Sequence, residues 1–181
     1  MVGSKDTGVE MLEDKSEELK EVLVFLTKLT LLSFLMYIIS SSFDFYAFQE
    51  FTADVIYEVI STIGMAVEKE GIRLGVGGFD FLITEDSTAW KGMFFFFSLL
   101  IASGSTLKKT VLGIVVGIPV IYALNLFRIL TLILFTTQVG PSAYEIIHSF
   151  LWHSTMIIAV LVLWIMWIRK AEYDTNWIKR S

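Results

Sequence analysis

Four long apolar stretches govern what this chain can become: Val22 to about Ser40, Ala89 to Ser103, Thr110 to about Thr136, and Ile146 to Ile168. The hydrocarbon core of a bilayer is about 30 Å thick, and a helix needs about 20 apolar residues to cross it. A backbone inside lipid has no water to bond, so only helices and closed barrels span. The hydrophobic fraction is 55%, above the roughly 45–50% of a soluble domain. The third stretch is longer than a span needs and contains Pro119, so a tilt or kink is expected. The sequence predicts an all-α integral membrane protein with about four transmembrane helices. A length of 181 residues suits a single domain.

The segments between the spans differ in character. In residues 46–67, Phe48, Phe51, Val55, Val59 and Ile63 recur at helical spacing, while Glu50, Asp54 and Glu58 form an acidic stripe on another face. An acid at mid-bilayer costs roughly 2.5–3.5 kcal/mol, so this segment reads as an external amphipathic helix, at the surface or packed on the bundle. In residues 72–83, Ile72, Leu74, Val76 and then Phe79, Phe81, Ile83 alternate about Gly77-Gly78, which predicts a short β-hairpin. Thr84 to Thr88 then open a helix with N-cap residues and acids suited to its positive end. Residues 1–21 are polar and mostly acidic. Leu12 and Leu19 allow a short amphipathic helix there, and a solvated terminus is equally open.

Lysine and arginine set the orientation. Lys108-Lys109, Arg169-Lys170, Lys179-Arg180 and the N-terminal lysines share one side of a four-span chain, and Lys69, Arg73 and Lys91 fall on the other. The basic side should be cytoplasmic. Residues 1–21 are then a cytoplasmic segment, 22–168 the membrane-embedded domain and 169–181 a cytoplasmic basic tail, in a multi-pass protein of the cell membrane. The net charge of −5 is segregated along the chain, with no basic patch interleaved with aromatics, so nucleic acid is not an expected partner. With no cysteine and two histidines lacking ligand spacing, neither a metal site nor a cofactor is expected.

This topology carries three groups, distant in sequence, to the external face. Ser87 begins the second span and His148 the fourth; Arg128 lies roughly 27 Å of helix beyond Thr110. Each has an ordinary reading: a serine as a cap, a histidine as a satisfied interfacial residue, an arginine snorkelling to lipid phosphate. Arg128 is hardest to dismiss, because a charge within an apolar span is costly and marks function. Asn125, three residues earlier on the same face, can hydrogen-bond across helices. His153 points elsewhere and lies deeper, as a packing or supporting residue. Chemically the trio makes a nucleophilic site: the helix end favours an anion, the imidazole moves a proton, and the guanidinium binds an oxyanion or carboxylate.

At these residues the sequence resembles the archaeosortase/exosortase family of membrane transpeptidases. The resemblance lies in Glu85-Asp86-Ser87-Thr88-Ala89-Trp90-Lys91-Gly92-Met93, in Asn125-Leu126-Phe127-Arg128-Ile129, and in His148 within Glu145-Ile146-Ile147-His148. It implies a catalytic set of Cys, Arg and His, the last two at Arg128 and His148. Asp86, Thr88, Trp90, Lys91, Asn125 and His153 become supporting or substrate-binding residues. Ser87 stands where the family has its nucleophilic cysteine. Two origins fit, an engineered Cys→Ser change and a natural serine variant, and the first is preferred. Either way a serine hydroxyl is far harder to ionise than a thiol, so this chain is expected to be inactive as it stands. The resemblance further implies partners and a reaction. Surface proteins ending in a short motif, a transmembrane helix and a basic tail are cleaved at the outer face, and the new C-terminus passes to a lipid acceptor. The small size and the Asp-Ser-Thr-Ala-Trp-Lys stretch look archaeosortase-like and imply an archaeal source.

Three rivals stand beside this reading. One is a catalytically silent protein of the same fold that binds the sorting signal without cutting it. A transporter or channel subunit would need polar residues lining a path across the whole membrane, and here they gather at one end. A rhomboid-like serine protease would need a Gly-x-Ser-x-Gly-type loop, which is missing.

Overall fold

The structure is a computed structural model that describes residues 3–104, 106–140 and 155–170. The chain is mostly helical. Helix α1 (Gly3–Ser42) leads into α2 (Tyr46–Thr62), followed by strands β1 (Val67–Glu70), β2 (Arg73–Val76) and β3 (Phe79–Leu82). A 3₁₀ turn (Glu85–Thr88), α3 (Trp90–Ala102) and α4 (Leu107–Val139) come next, and residues 155–170 form a fifth helix, α5.

Among the described residues two helices are long and apolar enough to cross a membrane, Lys15–Ser42 within α1 and Leu107–Val139. The acidic N-terminal segment is not a separate helix; it runs into α1 without a break. Helix α3 is apolar but has only 13 residues, about 20 Å of helix, shorter than the second apolar stretch suggests. Helix α4 keeps Pro119 inside one element of 33 residues.

Helices α1, α3, α4 and α5 pack alternately up and down. At one end Phe25 of α1 stacks on Trp164 of α5 at 6.0 Å, and the Trp164 indole donates to Ser103 Oγ, just past α3, at 2.9 Å. At the other end Met36, Gly92, Asn125 and Met156, one from each helix, line a common cavity. On α4 a buried row recurs every four residues: Gly113, Gly117, Ile121, Asn125, Ile129 and Ile133. This row explains a glycine. A β-carbon on Gly117 would lie 2.1 Å from Phe96, so α3 and α4 approach closely only because the side chain is missing.

The same row changes partners along its length. Ile121 packs with Phe96, Leu99, Leu100 and Val160 in the bundle core. Ile129 and Ile133 pack with Ala53, Ile56 and Ile60 of α2 and with Leu74, Val76 and Phe81 of the sheet. Asn125 and Arg128 therefore lie at the junction of two cores, one within the helix bundle and one beneath a cap built from α2 and the sheet.

The cap departs from the sequence expectation in two ways. The amphipathic helix is present, but it ends at Thr62, and residues 67–70 form strand β1. The hairpin is present as expected, with Val76 opposite Phe79 across Gly77-Gly78, and β1 adds a third antiparallel strand to it, in the order β1-β2-β3. The packed face of α2 is also rotated from the apolar stripe of the sequence. It buries Thr52, Ala53, Ile56 and Ile60, while Phe51, Val59 and Ile63 are exposed. Thr52 can be buried because its hydroxyl bonds to the Phe48 carbonyl one turn back, at 2.8 Å. Lys69 reaches Asp54 at 2.7 Å and ties β1 to the helix. That hydrogen bond raises the Lys69 pKa above its usual value, against a smaller opposing effect of desolvation.

Candidate functional site

Ser87 does not begin α3, contrary to the expectation from the helix-opening residues. It lies in the 3₁₀ turn, and Ala89 is the residue that caps α3, with φ of 63°. Among the described residues Ala89 is the one non-glycine in the left-handed region. An L-residue there costs about 1–2 kcal/mol, so surrounding contacts must hold the turn in place.

Those contacts are visible. The Trp90 indole N–H donates to the Glu85 carboxylate at 2.9 Å. The Trp90 ring stacks on Phe45, with centroids 4.4 Å apart. Thr88 is fully buried and its hydroxyl donates to the Glu85 carbonyl at 2.7 Å. Lys91 Nζ pairs with Asp86 at 2.5 Å on the exposed side and sits 5.8 Å from the Trp90 ring centroid. The Asn125 side-chain amide donates to the Ser87 carbonyl at 2.6 Å, across the two helical segments. Both residues are buried, as is Arg128. Among the described residues the Asn125 Oδ1 has no hydrogen-bond partner.

Ser87, within the turn, and Arg128, on α4, line different hollows. Arg128 and Asn125 line a cavity of about 430 Å³ between α1, α3, α4 and α5, whose wall is otherwise largely apolar. Ser87 lines a second hollow of about 450 Å³ between β3 and α4. Asp86 borders both, and its charge acts on the Arg128 guanidinium. The Ser87 hydroxyl is shared with Thr84 Oγ1 at 3.0 Å.

The model of the transmembrane exosortase family matches residues 19–166. The chain belongs to this family. It is accordingly a membrane protein, in keeping with its apolar helices. No curated protein and no solved structure matches it.

In this exosortase-family chain the first two stretches that carried the resemblance meet in space. Asp86, Ser87, Thr88, Trp90 and Lys91 form and brace one turn, and Asn125 holds it from α4. His148 and His153 lie outside the described residues. Among the described residues no group of His, Cys, Asp or Glu is placed to hold a metal ion. Sequence reasoning gave Thr84, Glu85 and Phe45 no role at the site. Glu85 and Trp90 are five apart, a spacing that no helix or strand pattern singles out, and Phe45 reaches the turn only through the fold.

Proposed function

We propose that this chain is a sorting-signal transpeptidase of the archaeosortase type, held inactive by serine at position 87. The observation that carries the reading is the Asn125–Ser87 hydrogen bond. It joins the turn bearing the nucleophile position to the helix bearing Arg128, at the junction between bundle and cap. In this reading α1, α3, α4 and α5 are four spans, the cap is external, and residues 1–21 and 169–181 are cytoplasmic. The partners are surface proteins with a C-terminal motif, a transmembrane helix and a basic tail.

With cysteine at position 87, the thiolate attacks the scissile carbonyl carbon. The peptide C–N bond breaks, the departing amine takes a proton, and a thioester remains. A nucleophilic group of the lipid acceptor then attacks the thioester, loses its proton and regenerates the thiolate. Arg128 is assigned to the oxyanion or to a substrate carboxylate, since its planar fork can bind either bidentately. His148 is assigned the proton transfer through the resemblance alone.

A second reading, the catalytically silent binding protein, draws on the Ser87 hydroxyl, whose described partner is another hydroxyl, Thr84, and not a base. The two readings separate in one experiment. Arg128→Lys is introduced beside Ser87→Cys and supplied with a surface protein carrying such a C-terminal tail. The transpeptidase reading expects at least a hundredfold loss of cleavage relative to Ser87→Cys alone, on the order of removing one oxyanion donor. Full cleavage by the double variant would remove Arg128 from the chemistry. No cleavage by either, with substrate bound, would favour the silent protein.

A further inference from the structure

We propose that the free edge of β3 is a docking strand for an extended polypeptide. The occupant is the stretch of the sorted protein just ahead of its membrane helix, so the inference rests on the sorting-signal reading above.

Strand β3 is the last in the order β1-β2-β3, so one of its edges is unpaired within the sheet. The register shows which groups face that edge. Ile83 N–H bonds to the Ile72 carbonyl at 2.9 Å, toward β2. Backbone direction alternates along an antiparallel strand, so Phe81 and Phe79 also bond toward β2, opposite Leu74 and Val76. The N–H and C=O groups of Asp80 and Leu82 then point away from the sheet. Among the described residues they have no hydrogen-bond partner.

The hollow that holds Ser87 runs along this edge. Its lining includes every residue from Asp80 to Thr84. Asp80, Phe81 and Leu82 are consecutive strand residues facing alternate sides of the sheet, so only a space beside the strand, not above or below it, touches all three, and Ile83 and Thr84 continue the lining past its end. No β2 residue lines it, while Ile129, Leu132 and Ile133 of α4 form its far wall. The groove is thus bounded by unpaired backbone on one side and by apolar side chains on the other, with Ser87 bordering it.

That chemistry selects a peptide. Donors and acceptors repeating every second residue complement another strand and not an acyl chain. The backbone bonds would hold any sequence, and the α4 wall would select alternate side chains. The scissile bond would reach Ser87 as the peptide leaves the end of β3. An exposed edge of this kind otherwise invites aggregation, which a membrane-tethered substrate would offset by covering it.

The test uses the full chain with Ser87 in place, which should bind without cutting. The probe is a surface protein of the same host that ends in a short motif, an apolar helix and basic residues. Backbone amide exchange is followed residue by residue, and addition of the probe should slow exchange at Asp80 and Leu82 at least tenfold. In a second arm, Leu82→Pro removes an outward N–H while leaving the ladder to β2 intact, and Leu82→Ala keeps that N–H. Probe affinity should fall about five- to tenfold for the proline variant relative to the alanine variant. Bound probe with unchanged exchange at both positions would overturn strand docking alone, as would equal affinity of the two variants. Slow exchange already present without the probe would mean that the edge is already covered, and would also overturn it. Failure of the probe to bind at all would overturn the sorting-signal reading and this inference together. If Leu82→Pro does not fold, the exchange measurement on the parent chain decides.

Discussion

Asn125 reaches across from α4 and donates its amide to the backbone carbonyl of Ser87 at 2.6 Å, with both residues removed from solvent. A carbonyl buried without a donor would cost about 1–3 kcal/mol. The turn ahead of α3 also carries the left-handed Ala89, so this bond offsets local strain and fixes where Ser87 sits relative to Arg128.

Replacing Asn125 by alanine should therefore loosen the turn and leave the helices intact. The expected loss is about 1–3 kcal/mol of stability, read as a lower midpoint of thermal unfolding in detergent with unchanged helix content. Asn125→Asp, which sets a carboxylate oxygen against the carbonyl, should be worse than alanine. Equal midpoints for all three proteins would mean that the bond does not organise the turn.

The close approach of α3 and α4 can be tested with a matched pair of glycines. Gly117→Ala would push a methyl group into Phe96, which is buried and cannot swing away. The expected cost is about 1–3 kcal/mol from overpacking. For Gly92→Ala the nearest atoms among the described residues, on Met156, Ile121 and Val160, are 3.5 Å or more away, and the change should be tolerated. Unfolding midpoints compare the two, and equal behaviour would contradict the packing at Gly117.

Some of this architecture was legible in the sequence, and particular residues show why the rest was not. The alternation about Gly77-Gly78 revealed the hairpin, because the strand period is two and a glycine pair suits the turn between Val76 and Phe79. Strand β1 gave no such signal: Val-Glu-Lys-Glu has one apolar residue, and its pairing is decided by the β2 edge it meets. The buried face of α2 escaped notice because Thr52 and Ala53 are small and one is polar, whereas the larger Phe51 and Ile63 look outward. At the site, the residue types and their order were readable. The left-handed Ala89 was not, since nothing in an alanine announces a positive φ, and with it went the expectation that Ser87 starts a helix. Ser87 and Arg128 line neighbouring hollows, with Asp86 bordering both.

The proposed topology makes a labelling prediction that benefits from a chain without cysteine. Leu107 is 80% exposed at the start of α4, and Asp80 is exposed on β3. Leu107→Cys should react with an impermeant thiol reagent only from the cytoplasmic side, and Asp80→Cys only from outside. Reaction of both from the same side would refute the arrangement of spans.

The most direct measurement compares Ser87 with Ser87→Cys on one substrate. Both proteins, in membranes, are given a surface protein with a C-terminal motif, an apolar helix and a basic tail, and release of the C-terminal fragment is followed on a gel. In the proposed mechanism the Arg128 charge favours the thiolate of a cysteine at this position, while the serine has no comparable acidity. The expected result is cleavage by the cysteine form, with the serine form binding the same substrate uncut. Equal cleavage by both would contradict this, because it would make Ser87 a working nucleophile in its own right.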